Sequence, residues 1–155
     1  MFKTTVETSI FVAAPPEAVT RVILNPDMAV RWTTGLELFE VVHGNAGQPG
    51  AVARLHYLQN GRPYVMQDEL LEVDPGRRYR SRVSGEAVVA EVVTTLIPEG
   101  GGTRLAIRWT GSGRRFPLNF LLPLMRRSVI HQAEVDLGKL KSLVESETAG
   151  SSAPS

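Results

Sequence analysis

At 155 residues, with 43% hydrophobic and 21% charged side chains, the chain has the size and balance of one folded domain. A formal charge of +1 excludes a global pull toward nucleic acid or anionic lipid. The absence of cysteine excludes disulfides, thiolate catalysis and cysteine-ligated metals, and suits a reducing cytoplasm, the expected location.

Lys3 to Ala13 alternate in polarity, Val6, Thr8, Ile10 and Val12 sharing one face, which predicts a strand. Glu7 and its polar neighbours also interrupt any signal-peptide core. "APPEAVTRVILN" predicts a helix: Pro15 and Pro16 suit its start, Glu17 its first turn, and Val19, Val22 and Ile23 repeat at helical spacing. Asn25-Pro26 ends it, and "PDMAVRW" gives a second short helix closing near Trp32.

Six strands are then expected: Leu36 to His43, Ala51 to Gln59, Pro63 to Val73, Arg77 to Ser84, Ala87 to Ile97 and Thr103 to Gly111. Turn signals separate them, Asn60-Gly61 being the clearest, and predict an antiparallel meander. The last long segment, Phe116 to Glu147, reads as helix, with Leu122, Val129, Ala133, Leu137, Leu140 and Val144 as a core stripe. Pro123 should kink or restart it. Its first ten residues, Phe116 to Met125, are apolar except Asn119, about half of what a bilayer span needs. That excludes a transmembrane anchor there and leaves room for peripheral contact with a membrane surface. "TAGSSAPS", from Thr148, reads as a disordered tail after a single domain over 1–147.

In this order the pieces resemble the helix-grip fold of the START-like, Bet v 1-like superfamily (SRPBCC), which includes polyketide cyclase/dehydrase-type proteins. "TSIFVAAPPEAVTRVILNPDMAVRW" carries the opening strand, helix start and closing tryptophan. "ELLEVDPGRRY" carries a strand-turn-strand step, "LIPEGGGTRLAIRW" a hairpin, and "DLGKLKSLVE" the helix end. The resemblance implies an α+β fold: a curved seven-stranded antiparallel sheet wrapped around a long C-terminal helix, with two short helices after the first strand. It also implies a cavity between sheet and helix, with Phe116 to Met125 on the mouth side. The superfamily hosts lipid carriers, receptors, cyclases and co-chaperones, so fold alone does not settle activity.

Strand alternation predicts which residues face that cavity. Leu105, Ile107 and Trp109 form one inward set; Val88, Ala90, Val92, Thr94 and Leu96 another; Ala51, Ala53, Leu55 and Tyr57 a third. Grouping Val65, Leu71 and Val73 brings Gln67 and Glu69 inward, where a carboxylate needs a partner. A one-residue bulge would swap them for Met66 and Asp68. On a helical wheel Arg126 lies within about 40° of the stripe centre and Asp136 similarly close on the other side. Arg126 either pairs with Glu69 or a guest, or snorkels past the sheet edge into water.

The candidate guest-contacting residues are therefore Trp32, Tyr57, Gln67, Glu69, Thr94 and Trp109, with Phe120, Leu121, Met125 and Arg126 from the helix side. Trp32, Tyr57, Trp109 and Phe120 would look the same as plain core packing. Glu69, Tyr57 and Arg126 are the candidate catalytic set if chemistry occurs. His43, His56 and His131 are scattered, so no metal site is expected. No phosphate-loop or dinucleotide pattern is present and no cofactor is expected. Arg78, Arg80, Arg82, Arg104 and Arg108 fall on the outer face, as a solvated convex surface or as a patch for an acidic partner. No aromatic platform supports nucleic-acid binding, and none is expected. Three functions stay open: a binder or carrier of a small hydrophobic molecule (a lipid, polyketide or aromatic metabolite), a polyketide cyclase or dehydratase, and a protein-interaction module.

Overall fold

The computed structural model describes residues 3–114 and 122–151. Strand β1 (Thr4–Val12) leads into α1 (Pro16–Ile23) and α2 (Pro26–Trp32). Six strands follow: β2 (Leu36–His43), β3 (Val52–Gln59), β4 (Arg62–Asp74), β5 (Arg78–Ser84), β6 (Val88–Glu99) and β7 (Gly102–Gly113). A 3-10 turn at Leu122–Met125 precedes α3 (Arg126–Ser151). The sheet order is β1-β7-β6-β5-β4-β3-β2, antiparallel throughout. This is the helix-grip architecture: a curved seven-stranded sheet closed on one side by α3, with α1 and α2 bridging its two edge strands.

Local chemistry explains the elements. Prolines occupy the first turns of α1 and α2, where a missing N–H costs nothing. The Asn25 side chain caps α2 by accepting from the Asp27 N–H at 2.9 Å. Asn60 and Gly61 both take positive φ, 52° and 74°, the twist a two-residue hairpin between β3 and β4 requires. The proline-bearing 3-10 turn stands where the sequence predicts a kink or restart, and regular helix begins only at Arg126. α3 runs to Ser151, past the expected end at Glu147: no proline or strong breaker stands between them, and Gly150 alone costs only about 1 kcal/mol.

The space between sheet and α3 is filled at one end and open at the other. Val12, Val19, Val22, Leu96 and Leu105 pack with Leu137, Leu140 and Val144 of α3, all nearly inaccessible to solvent. The Tyr79 hydroxyl ties this end together: it accepts from the Gly76 N–H at 2.8 Å and shares a 2.6 Å bond with Thr20 Oγ1 of α1. Lys141 donates to the Phe11 carbonyl and to Glu145, which in turn accepts from the Ala13 N–H. The C-terminal half of α3 is thus fixed to the end of β1. Its N-terminal half stands over the open end.

Candidate functional site

The open end is a cavity of about 620 Å³. Its wall takes Ala53, Leu55 and Tyr57 from β3, Ser81 and Val83 from β5, and Val92 and Thr94 from β6. β7 adds Ile107 and Trp109, α2 adds Ala29 and Trp32, and α3 adds Ser128, Val129, Gln132, Ala133 and Asp136. Most of this surface is apolar. The volume falls within the range of small-molecule sites, which is about 300–1,000 Å³.

Two local devices hold the aromatic walls. Gly111 sits two residues after Trp109 on the same face of β7, and a Cβ there would collide with the Trp109 ring. The glycine lets the indole lie along the strand. Tyr57 stacks on Tyr64, its cross-strand partner on β4, with ring centroids 4.9 Å apart and planes within 5°. Burial raises the Tyr57 phenol above its ordinary range, and the nearby Tyr64, Asp68 and Asp136 push it further. It stays protonated and can donate. The Trp32 Nε1–H is buried without a hydrogen-bond partner.

Asp68 is the member that the bulged alternative for β4 brings inward. It faces the cavity from β4, opposite Ala53 on one side and Val83 on the other. Desolvation raises its carboxyl from 3.8 to about 6. Among the described residues nothing hydrogen-bonds or ion-pairs with it. Asp136 also reaches the cavity, but its carboxylate is engaged. It accepts from the Thr34 N–H at 3.1 Å, the Thr34 hydroxyl at 2.7 Å and Gln132 Nε2 at 3.0 Å. Lys139 Nζ donates to the same Thr34 hydroxyl at 2.8 Å.

Of the sequence-predicted residues, Trp32, Tyr57, Thr94 and Trp109 lie on the cavity wall. Gln67 and Glu69 do not. A bulge between Leu70 and Glu72 shifts the β4–β5 register, so the parity read from Val73 reverses before Leu70. Asp68 and Leu70 point inward, while Glu69 lies on the outer face 3.8 Å from Arg82 and Gln67 is exposed. Arg126 is also off the cavity: it is exposed at the first residue of α3, and its Nε donates to the Thr5 carbonyl of edge strand β1 at 3.3 Å. Met125 is 44% exposed and takes no part in the wall. Phe120 and Leu121 lie outside the described residues. The expected catalytic set is therefore not assembled, since Tyr57 faces the cavity and Glu69 and Arg126 face solvent. The outer arginines meet acids: Arg78 and Arg80 with Glu72, Arg80 with Glu91, Arg104 with Glu99 and Arg108 with Glu7. No helix among the described residues is long and apolar enough to cross a membrane.

A family model described as "Polyketide cyclase / dehydrase and lipid transport" matches residues 3–145. No curated protein matches the chain. Solved structures share its fold at low identity. The ZhuI aromatase/cyclase from a Streptomyces species superposes with a TM-score of 0.84 at 18% identity, covering 99% of this chain and 100% of its own. Ara h 8.0201 gives 0.75 at 18%, covering 94% and 99%. A protein from Chromobacterium violaceum gives 0.73 at 23%, covering 91% and 96%.

Proposed function

The chain belongs to the polyketide cyclase / dehydrase and lipid transport family, and from that premise we propose that it binds a small, mainly apolar molecule between the sheet and α3. One observation carries the proposal: the N-terminal half of α3 and the sheet leave a cavity of about 620 Å³ lined chiefly by apolar and aromatic side chains. A guest burying about 300 Å² of apolar surface there gains roughly 7 kcal/mol before ordering costs. The polar groups Tyr57, Asp68, Ser81 and Thr94 fix its orientation. Protein purified from its own host and examined by native mass spectrometry should carry an adduct. Solvent extraction should then release an apolar compound. Repeated preparations at the bare chain mass, combined with failure to take up any apolar probe, would overturn the reading.

One observation favours a second reading, a cyclase- or dehydratase-type enzyme. Asp68 and Tyr57 face the same cavity, and a carboxyl titrating near 6 suits proton transfer at neutral pH. Saturable turnover of a polyketide-like substrate, lost on Asp68→Asn, supports the enzyme. A guest recovered unchanged supports the binder.

A further inference from the structure

The cavity's charges are all of one sign. Among the described residues its wall holds two carboxylates, Asp68 and Asp136, and no lysine, arginine or histidine. The two acids differ in what already satisfies them. Asp136 accepts three hydrogen bonds, and Lys139 stands one hydroxyl away. Asp68 has no such partner, and its neighbours across β3 and β5 are Ala53 and Val83. A carboxylate left without donors in an apolar wall is costly unless something else supplies them. The arginines that could serve are on the other side of the sheet, engaged with Glu69, Glu72 and Glu91.

We propose that the cavity selects guests carrying a protonated amine on an apolar body, with the ammonium group seated against Asp68 and the body along Tyr57 and Trp109. The proposal rests on the binding reading above and names the chemistry of its guest. A cation supplies the charge-assisted hydrogen bonds that Asp68 lacks, and the nearby Tyr57 ring attracts positive charge. A neutral hydroxyl donates one hydrogen bond and leaves the carboxylate's charge unbalanced. A carboxylate or phosphate guest meets two negative charges with no cation to balance them. Selection depends on pH because Asp68 must be ionised. The titratable groups that share the cavity wall with it are Tyr57 from β3 and Asp136 from α3; β5 adds Ser81 and Val83 and α2 adds Trp32, and these three carry no charge. Since burial raises the Asp68 carboxyl to about 6, the preference for amines should weaken as the pH falls through that value.

The test is displacement of the neutral apolar fluorophore N-phenyl-1-naphthylamine by decylamine, 1-decanol and decanoate. At about pH 7.5 decylamine should displace it at least about tenfold more effectively than 1-decanol, with decanoate weakest. Asp68→Asn should reduce the amine's advantage over 1-decanol to about threefold or less. The unmodified protein at about pH 5 should show the same narrowing, which keeps the test open if the variant folds poorly. If 1-decanol or decanoate matches decylamine, charge selection is overturned while the binding reading stands. If the fluorophore does not bind and no decyl compound binds by calorimetry, both fall.

Discussion

Asp68 and Glu69 are neighbours on one strand, yet they lie on opposite faces of the sheet and in opposite electrostatic settings. Glu69 is on the convex face with Arg82 beside it and water around both. Asp68 is on the concave face, desolvated and without a cation. Across the whole sheet the convex face interleaves arginine and glutamate, whereas the concave face carries acid alone. Exposed pairs of the first kind contribute about 0–1 kcal/mol each, so the convex face is chiefly a soluble exterior. The concave face holds a desolvated carboxyl on the wall of the cavity. The difference teaches where to look for function: at the charge the fold leaves unanswered.

The sharpest way to break this comparison is at Asp136, which borders the same cavity from α3 and whose Oδ1 accepts three hydrogen bonds. Asp136→Ala removes three hydrogen bonds and leaves the Thr34 N–H and hydroxyl without their acceptor. The expected loss is roughly 3 kcal/mol in chemical denaturation. A neutral result would show that engagement at this cavity is not structural, and the contrast with Asp68 would collapse.

Asp68→Asn should act in the other direction. The folded carboxyl, at about 6 rather than 3.8, binds its proton more tightly than the unfolded one. The protonated form therefore favours folding, and stability is lost as pH rises from about 4 to about 6. A difference of that size corresponds to roughly 3 kcal/mol at neutral pH. Asparagine keeps an unpaired amide, so the net gain should be about 1–2 kcal/mol, or a Tm higher by about 2–6 °C. The gain should fall by roughly 2–3 kcal/mol toward pH 4, leaving the variant slightly less stable than the unmodified protein there. A variant equally stabilised at pH 4 and pH 7 would place the cause outside the carboxyl's titration.

The reading of the concave face from sequence succeeded wherever strand alternation was unbroken. β3, β6 and β7 present Tyr57, Thr94 and Trp109 inward with the parity their apolar residues predict. On β4 it left two registers open, and the structure takes the bulged one, which reverses every side chain beyond the bulge. A signal for it was present. Leu70 and Leu71 are adjacent apolar residues at the point of reversal. Glu69 and Glu72, three apart, both lie on the outer face, which an unbroken strand does not allow. On the helix two positions stayed open for Arg126, and the structure takes the one at the sheet edge. A wheel places Arg126 near the core stripe, but it stands at the first residue of α3, beside the sheet edge. There a long side chain reaches the free Thr5 carbonyl of β1, an interaction that periodicity does not encode. Asp136 was legible as a position near the stripe, though not as a partner of Thr34, because that contact spans 102 residues.

Glu69→Gln carries the smallest expected effect and sharpens the comparison from the convex side. The variant loses a charge 3.8 Å from Arg82, in a pair whose side chains are 38% and 54% exposed. Water replaces what is lost, so stability should change by less than about 0.5 kcal/mol and fall further into the noise as salt is raised. The amine preference measured by displacement should be unaltered, because Glu69 and the cavity are separated by the thickness of the sheet. Had the unbroken alternation been correct, this residue would be the one buried carboxylate facing the guest. Glu69→Gln and Asp68→Asn measured side by side therefore decide the β4 register in solution: only one of the two should change decylamine binding and the pH profile of stability, and the bulge requires it to be Asp68.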